Sequence, residues 1–599
     1  MGCFGVTAGS IRFAAAATRI ALTAAALSIS TLLSGCTGPS SEPPSPEATL
    51  GVYSSPPVND LANNAMLTPD GRGAIASVNS IATEAGLAAF AKGGNAIDAA
   101  LAVAFTLGVV DGFNSGLGGG CFIVARTAAG ELLAIDGREM APALAHANMF
   151  NPSGATDLQL SRTGALAIGV PGSVAALELL HQKGGKLNWS DSLLPAARLA
   201  EQGFVIDELY AKRLAGKASD LARFDASAEI FLDDGQPLPQ GSVLRQLDLA
   251  KTYRALAQAG SDYFYQGEFA AAIDAWMKAN GGLVRASDFK GYKVLLREPV
   301  VSEYNGFEVV GFPPPSSGGT AVSQLLNVLQ AFDLKTMSEV DRYHVIIEAM
   351  KLVFADRAYW MGDPDFVDVP KGLLDKHYAD SLAAKIDPQQ AAKDVRAGTP
   401  PNAKTDLFNR HTTHITVADA EGNWVTITTT LNTPFGSKVA IPGTGVVMNN
   451  QMDDFNTRPN TGNAFDLITY DANRVEPFKR PLSSMSPTLV FKKGEPVMAL
   501  GAAGGPTIIT QVAQVLVNSL ALDMDLPAAM AAPRVHHQWR PDRTLIDPFT
   551  SPDLRAGLDK KGHNLVDWPP FGATQAIEKT ATGFVAVSEP RLVWRIEAN

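Results

Sequence analysis

Apolar residues recur at helical spacing from Ser77 to Leu107, and the turn Gly93-Gly94-Asn95 interrupts them. Glycine tolerates the backbone conformation that ends a helix, and an asparagine side chain caps the first turn of the next one. The pattern therefore predicts a helical hairpin whose second helix begins near Asn95. An apolar segment, 121–125, follows the glycine run that starts at Gly116, which predicts a strand. Dinucleotide-binding loops place their glycines after a strand and before a helix, so this order argues against such a loop.

The pattern changes further along the chain. Residues 387–410 are polar and contain Gly398-Thr-Pro-Pro-Asn, which predicts an exposed linker. Two threonine-rich segments follow, 412–418 and 424–430, and a turn around Glu421 separates them. Their alternation predicts two strands of a hairpin.

The turn determines how these two strands pair. A hairpin centred on Glu421 pairs Ala418 with Trp424, and the same register places Thr430 opposite Thr412. Two threonine hydroxyls are then expected to meet at the end of the hairpin.

The first residues have the pattern of an export signal. Arg12 and Arg19 precede the uncharged apolar run Ile20–Leu33, which is shorter than the roughly 20 residues that a membrane span needs. The run ends at Leu33-Ser34-Gly35-Cys36, which resembles a bacterial lipobox. We expect Cys36 to carry a diacylglyceryl group and to become the mature N-terminus, and the Pro-rich segment after it is typical of a tether. An apolar signal with a chance cysteine is the alternative.

Composition narrows the classes of function. The 599-residue chain is 46% hydrophobic and 18% charged, which is typical of a globular enzyme. Its net charge is −11 and no Lys/Arg cluster is interleaved with aromatics, so we expect no nucleic-acid partner. Without the signal only Cys36 and Cys121 remain, so a lipidated Cys36 leaves no disulfide framework. The neighbours His536 and His537 would diverge on a strand, and no His-Glu-x-x-His or paired Cys-x-x-Cys motif occurs, so we expect no metal.

A strand that begins with threonine directly after a linker suits one kind of catalysis. Most strand threonines are only good β-formers. Cleavage of the backbone before Thr412 would free an α-amine beside the hydroxyl, and with a reference pKa of about 8 that amine can act as the base for its own side chain. This is what an N-terminal nucleophile hydrolase requires, and the sequence has no Gly-x-Ser-x-Gly elbow. We therefore predict self-cleavage between His411 and Thr412.

The motifs around Thr412 and others earlier in the chain resemble the γ-glutamyltranspeptidase family, over roughly residues 74 to 593. Several of these motifs are long and uncommon, and they occur in the family's order. They are Gly93-Gly-Asn-Ala-Ile-Asp-Ala-Ala, Gly118-Gly-Gly, Arg138-Glu-Met-Ala-Pro, Pro313-Pro-Pro-Ser-Ser-Gly-Gly, Gly362-Asp-Pro-Asp-Phe, Thr412-Thr-His, Leu431-Asn-Thr-Pro-Phe-Gly-Ser, Asn449-Asn-Gln-Met-Asp-Asp-Phe, Arg480-Pro-Leu-Ser-Ser-Met-Ser-Pro-Thr, Gly504-Gly505 and Pro533-Arg-Val-His-His-Gln-Trp.

The resemblance implies a role for each matching residue. Thr412 matches the nucleophile, and Thr430 matches the threonine whose hydroxyl bonds it. The N–H groups of Gly504 and Gly505 match the oxyanion hole. The remaining matches bind the two charged groups of a γ-glutamyl donor: the α-carboxylate by Arg138, Ser483 and Ser484, and the α-ammonium by Asn432, Gln451 and Asp454.

The resemblance also implies the fold, the organisation and the partners. The fold class is α/β, the four-layer αββα sandwich of N-terminal nucleophile hydrolases, built from two fragments of one autocleaved chain. We expect a signal peptide (1–35), a lipidated tether (36–72), a large fragment (73–411) and a small catalytic fragment (412–599), the last two forming a heterodimer. The expected substrates are glutathione and other γ-glutamyl compounds with amino-acid or peptide acceptors, no cofactor is required, and the expected location is the bacterial cell envelope.

Two other interpretations stay open. A glutaryl or cephalosporin-type acylase of the same superfamily would not need the ammonium-binding residues Asn432, Gln451 and Asp454. A non-catalytic surface lipoprotein would not need Thr412. Phe465 stands in the segment that resembles the family's lid, where several members have tyrosine, so we expect the lid to lack a hydroxyl contact.

Overall fold

The two hairpins expected from the sequence both form. The computed structural model describes residues 64–151, 157–401, 413–456, 463–464, 467, 471–568 and 572–592. Helices α1 (Ser80–Ala91) and α2 (Ala96–Val110) form the helical hairpin. Asn95 caps α2: its side chain accepts from the N–H groups of Ile97 and Asp98, and the Asp98 carboxylate accepts from the Asn95 N–H. Every residue of α2 is buried, and apart from Asp98 and Thr106 its residues are apolar or glycine.

The strands in the described residues, numbered along the chain, are β1 (Ala65–Leu67), β2 (Gly73–Ala76), β3 (Gly120–Arg126), β4 (Leu132–Gly137), β5 (Phe204–Val205), β6 (Leu232–Asp233), β7 (Gln236–Pro237), β8 (Val243–Leu244), β9 (Leu295–Arg297), β10 (Val300–Tyr304), β11 (Phe307–Gly311), β12 (Thr413–Asp419), β13 (Trp424–Thr430), β14 (Thr488–Lys492), β15 (Glu495–Gly501), β16 (Val535–His536), β17 (Thr544–Ile546), β18 (Leu565–Asp567), β19 (Gln575–Thr580) and β20 (Gly583–Ser588).

The helices that follow α2 are α3 (Leu158–Arg162), α4 (Ser173–Gly184), α5 (Trp189–Gln202), α6 (Glu208–Ala215), α7 (Ala218–Leu221), α8 (Asp225–Phe231), α9 (Leu247–Ala259), α10 (Asp262–Tyr265), α11 (Glu268–Ala279), α12 (Ala286–Gly291), α13 (Gly318–Leu329), α14 (Glu339–Trp360), α15 (Lys376–Ala383), α16 (Thr507–Leu520), α17 (Leu526–Ala531) and α18 (Pro552–Lys560).

Two antiparallel sheets form the centre of the fold. The first has the order β1-β2-β12-β13-β3-β4-β9 and the second the order β10-β11-β14-β15-β19-β20. In both sheets, strands from before residue 411 pair with strands from after it: the hairpin β12–β13 lies between β2 and β3, and β14 pairs with β11. The parts of the chain on either side of the expected cleavage point are therefore interleaved.

The sheets pack face to face, with helices on both outer surfaces. Along β3, Phe122 and Val124 point between the sheets, where Phe122 stacks on Phe312 at a ring distance of 4.1 Å. Ile123 and Ala125 point the opposite way, into the core that α2 and α4 cover. The second sheet packs on α13 and α16. The predicted four-layer αββα sandwich is confirmed.

Two segments differ in detail from the sequence pattern. Strand β1 lies within 36–72, the segment expected to be a tether, so the end of that segment belongs to the first sheet. Residues 387–401 contain no helix or strand, as expected of a linker, but they are not freely exposed. The backbone oxygens of Asp387, Ala392 and Gly398 accept hydrogen bonds from His344, Lys351 and Trp360.

Within the described residues, no helix is long and apolar enough to cross a membrane. Cys36 and the apolar run before it lie outside those residues.

Candidate active site

The hairpin β12–β13 has the register expected from its turn. Ala418 pairs with Trp424, and the ladder continues to Thr413 opposite Thr429. His411 and Thr412 lie outside the described residues, so the pairing of Thr412 with Thr430 stays a prediction that extends this ladder by one step. Thr430 is fully buried, and its hydroxyl oxygen accepts a hydrogen bond from the N–H of Asn432 at 2.7 Å. The hydroxyl hydrogen of Thr430 is therefore still available to a further acceptor.

A cavity of about 510 Å³ lies at the start of β12. Three residues of the predicted site region line it: Thr413, the neighbour of Thr412, Asn432 and Gly504. Three separate segments of the sequence therefore meet at one cavity.

Asp111 also lines this cavity, and sequence reasoning missed it. Its carboxylate accepts hydrogen bonds from the hydroxyl of Thr413 and the amide of Asn114, both at 2.9 Å. Burial raises the pKa of Asp111 to about 7, although these two hydrogen bonds oppose the shift. A carboxylate that directly follows the largely apolar second half of helix α2 was the signal that could have found it.

Gly504 and Gly505 form the link between β15 and α16. Their φ angles are +123° and +71°, which a residue with a side chain rarely adopts. A Cβ on Gly504 would lie 2.7 Å from the hydroxyl oxygen of Thr507. Neither N–H donates a hydrogen bond to another residue of the described chain. N–H groups that lie beside a cavity without an acceptor can donate to the oxyanion that develops during a reaction.

Arg138 follows β4 and is completely buried. Its guanidinium donates to the backbone oxygens of Pro481 and Leu482, at 2.9 and 3.3 Å. It also pairs with two carboxylates, Asp454 at 2.5 Å and Glu139 at 3.3 Å. Burial raises the pKa of Glu139 to about 7, while Arg138 opposes this shift.

The three residues expected to receive an ammonium lie on two connected segments. The amide of Gln451 donates to the Asp454 carboxylate at 2.8 Å, and the amide of Asn432 donates to the backbone oxygen of Asn450 at 3.0 Å. The side-chain oxygens of Asn432 and Gln451 are buried and have no hydrogen-bond partner among the described residues. Burying a side-chain oxygen costs free energy unless a hydrogen-bond donor pairs with it. A ligand ammonium is one such donor.

The sequence placed Arg138 and Asp454 at opposite ends of a bound zwitterion, whereas they contact each other directly. Asp454 therefore also holds the guanidinium in place. The contact could not be foreseen because the two residues are 316 positions apart.

Ser483 and Ser484 are fully buried next to Pro481 and Leu482, but Arg138 does not bond their side chains. The Ser484 hydroxyl accepts from Arg357 at 2.9 Å, and the backbone oxygen of Ser483 accepts from the N–H and hydroxyl of Ser317, both at 2.7 Å. Sequence reasoning gave the segment around Ser317 only as a family motif, without a role, and missed Arg357. Together they fix the segment whose carbonyl groups hold Arg138.

Apart from Thr430 and Gly505, the predicted residues that the structure describes thus fall into two groups. Asn432 and Gly504 line the cavity, whereas Arg138, Gln451, Asp454, Ser483 and Ser484 form a buried cluster. The bond from Asn432 to Asn450, the neighbour of Gln451, connects the two groups. Phe465 lies outside the described residues.

One group of potential metal ligands occurs in the part of the chain that the structure describes: His344, Glu348 and His563. The rings of His344 and His563 share a hydrogen bond of 2.7 Å, and the ammonium of Lys351 lies 2.8 Å from Glu348. A histidine pair bonded to itself beside a lysine forms a polar network, which does not fit a cation. The side chains of His536 and His537 are also hydrogen-bonded: His536 to Thr510 at 2.9 Å and His537 to Asp542 at 3.1 Å.

The family model for gamma-glutamyltranspeptidase matches residues 82–596. The glutathione hydrolase proenzyme of Escherichia coli (strain K12) is 39% identical over 576 residues, which cover 95% of this chain and 97% of that protein. Among solved structures, cephalosporin acylase from Bacillus halodurans is similar with a TM-score of 0.79 and 28% identity, covering 88% of this chain and 95% of the acylase. The gamma-glutamyltranspeptidase of Helicobacter pylori is similar with a TM-score of 0.52 and 38% identity, covering 53% of this chain and 94% of that chain.

Proposed function

Because the chain belongs to the gamma-glutamyltranspeptidase family, we propose that it is a γ-glutamyltransferase and glutathione hydrolase. It transfers the γ-glutamyl group of glutathione and related amides to water or to the amine of an amino acid or peptide. Thr412 carries the group during the reaction.

One observation of the site supports this choice of substrate. The buried guanidinium of Arg138 lies in the same polar cluster as the carboxylate of Asp454 and the amide oxygen of Gln451, which has no hydrogen-bond donor among the described residues. Asn432, with its own uncompleted oxygen, connects this cluster to the cavity. A γ-glutamyl donor carries an α-carboxylate and an α-ammonium, so it needs a fork of donors and a set of acceptors. The cluster contains both kinds of group.

The reaction proceeds in two steps. The hydroxyl oxygen of Thr412 attacks the γ-carbonyl carbon, and its proton passes to the α-amine of Thr412. The leaving amine takes this proton as the carbon–nitrogen bond breaks, which leaves a γ-glutamyl ester. Water or an acceptor amine then attacks the ester carbonyl and gives a proton to the Thr412 α-amine. The ester bond breaks as this proton passes to the Thr412 oxygen, which releases glutamate or the new γ-glutamyl amide.

Three groups assist these steps. The Thr430 hydroxyl donates to the Thr412 oxygen. The N–H groups of Gly504 and Gly505 stabilise the tetrahedral oxyanion, where one such donor typically lowers the barrier by about 3 kcal/mol.

The same hydroxyl oxygen first attacks the carbonyl carbon of His411, and the amide bond between His411 and Thr412 breaks as the Thr412 nitrogen takes up the proton. Water then hydrolyses the resulting ester, which leaves a carboxylate on His411 and restores the Thr412 hydroxyl. The fragments are then 36–411, which includes the tether 36–72, and 412–599. They stay together without a covalent bond because β12 and β13 lie between strands of the other fragment. An uncut chain would leave the Thr412 nitrogen in an amide, which cannot act as a base.

The alternative is an acylase for glutaryl or β-lactam side chains. The similarity to a cephalosporin acylase supports this alternative, since that structure covers 88% of this chain. A glutaryl group has no α-ammonium, so it would leave the oxygens of Asn432 and Gln451 uncompleted. The γ-glutamyl donor is therefore the better match.

The proposed location is the cell envelope, with Cys36 as a lipid anchor. It rests on the apolar run and the lipobox-like residues that precede Cys36. Cys36→Ala should release the protein from membranes without loss of activity. Sedimentation of this variant with the membranes until detergent is added would contradict the anchor.

Substrate choice is tested with two chromogenic amides that differ by one amine. We expect kcat/KM for γ-glutamyl-p-nitroanilide to exceed that for glutaryl-p-nitroanilide by at least about a hundredfold, because only the first supplies the ammonium. Equal kcat/KM values for the two compounds, or a higher value for the glutaryl compound, would contradict this proposal and favour the acylase.

A further inference from the structure

The loop that carries Asn432 is strained. Asn432, Phe435 and Lys438 have φ angles of +81°, +60° and +67°, and Gly436 has +50°. Side chains disfavour this region of the backbone map, and such outliers persist only where the surroundings hold them. A loop with three strained residues in seven positions needs strong local bonds.

Lys438 provides these bonds from inside the protein. It is 3% exposed, and its ammonium donates to the backbone oxygen of Gly436 at 2.5 Å and to the hydroxyl of Thr433 at 2.9 Å. A longer contact of 3.4 Å reaches the backbone oxygen of Arg162. All three donors of the ammonium are therefore directed at neutral oxygens that belong to this loop or face it.

No carboxylate lies within ion-pairing distance of this ammonium in the described residues. The charged groups that act on it are Lys217, Asp220, Asp453 and Arg162. Burial lowers the pKa of Lys438 to about 7, and the acidic and basic neighbours oppose one another. A cation buried without a counter-charge is costly, and the neutral oxygens that the Lys438 ammonium contacts offset part of that cost.

The bonds of Lys438 continue to Asn432. The Thr433 hydroxyl also accepts from the amide of Asn450 at 2.8 Å, and the Thr433 N–H donates to the Asn450 side-chain oxygen at 3.1 Å. The backbone oxygen of Asn450 in turn accepts from the Asn432 amide at 3.0 Å. Lys438, Thr433 and Asn450 therefore fix which way the Asn432 amide is turned and leave its oxygen open.

We propose that Lys438 is a positioning residue: through Thr433 and Asn450 it holds the strained loop 432–438 so that the Asn432 oxygen faces the α-ammonium of the donor. This inference rests on the proposed function, because it assumes a substrate that carries that ammonium. Lys438 does not touch the substrate. It determines how well the substrate is recognised.

The test uses Lys438→Gly with Lys493→Gly as the matched control. Glycine accepts a positive φ, so Lys438→Gly removes the ammonium without adding backbone strain. Lys493 also has a positive φ, +54°, but it is exposed in the turn between β14 and β15. The two variants make the same change of residue type, and only one of them opens the loop around Asn432.

We expect Lys438→Gly to raise KM for γ-glutamyl-p-nitroanilide about tenfold, the usual effect of losing a charged hydrogen bond, with kcat changed less than about threefold. KM for glutaryl-p-nitroanilide should change less than about threefold, because that compound does not use Asn432. Lys493→Gly should behave as wild type. In an Asn432→Ala background, Lys438→Gly should cause no further rise in KM.

A second pair decides the question if Lys438→Gly does not yield folded protein. Thr433→Val keeps the ammonium but removes the hydroxyl it binds and should raise KM, whereas Thr433→Ser should restore it. The inference is wrong if Lys438→Gly or Thr433→Val matches wild type while wild type still prefers the γ-glutamyl compound. If wild type shows no such preference, the proposed function itself fails.

Discussion

Asp454→Asn separates recognition of the two charged groups of the donor. In the structure one oxygen of Asp454 accepts both from Arg138 at 2.5 Å and from Gln451 at 2.8 Å, and all three side chains are fully buried. Asparagine keeps the shape but loses the charge. Arg138 then depends on Glu139, 3.3 Å away, as its carboxylate partner.

The size of the effect follows from these contacts. Removing one partner of a buried ion pair costs about 3 to 5 kcal/mol, and Glu139 keeps the cost at the lower end. A loss of about 3 kcal/mol corresponds to a fall of somewhat over a hundredfold in kcat/KM for γ-glutamyl-p-nitroanilide. Glutaryl-p-nitroanilide should lose only about tenfold, the part that comes from a less firmly held Arg138.

The assay is the ratio of kcat/KM for the two compounds in wild type and variant. Asp394→Asn is the control, since Asp394 pairs with Arg396, both side chains are exposed, and such pairs are worth less than about 1 kcal/mol. Self-cleavage of Asp454→Asn should proceed normally because it needs only Thr412 and its neighbours. An equal loss for both compounds would refute the assignment of Asp454 to the ammonium.

Two further predictions concern other parts of the site. Gly504→Ala should lower kcat about a hundredfold with little change in KM, because φ +123° is strained for alanine and its Cβ would meet Thr507; a kcat near that of wild type in steady-state assays would argue against this oxyanion hole. Burial lowers the pKa of His414 to about 3 from its ordinary 6.5, so the unfolded chain binds a proton that the folded chain does not as the pH falls between these values. The stability that this group contributes is present above pH 6.5 and is lost as the pH falls towards 3. As the pH is lowered, the urea concentration at the unfolding midpoint should therefore fall less steeply for His414→Gln than for wild type. Parallel pH profiles for the two proteins would contradict this prediction.

Local patterns predicted the elements, and contacts between distant segments account for what was missed. The register of β12 and β13 followed from a short turn and from alternation over neighbouring residues, so Ala418 opposite Trp424 could be deduced without a structure. The helix that begins at Ala96 followed from Asn95 in the same way.

Three features depend on how separate segments of the chain meet. They are the direct bond from Arg138 to Asp454, the carboxylate of Asp111 beside Thr413, and the hydrogen bonds by which Lys438 holds the loop 432–438. Apart from the position of Asp111 directly after α2, none of these has a signature in neighbouring residues. The motifs could indicate which side chains belong to the site, but they could not show that Asp454 serves Arg138 as well as the substrate.

Thr412 is the centre of this account, and mass spectrometry of the purified protein tests it most directly. Wild-type protein should separate under denaturing conditions into two fragments, the smaller beginning at Thr412. When the reaction with a γ-glutamyl amide is quenched in acid, peptide mapping should find one γ-glutamyl group on the Thr412 hydroxyl, and Thr412→Ala should stay a single chain without the adduct. An active wild-type chain that is uncut, or an adduct on any other residue, would contradict the account.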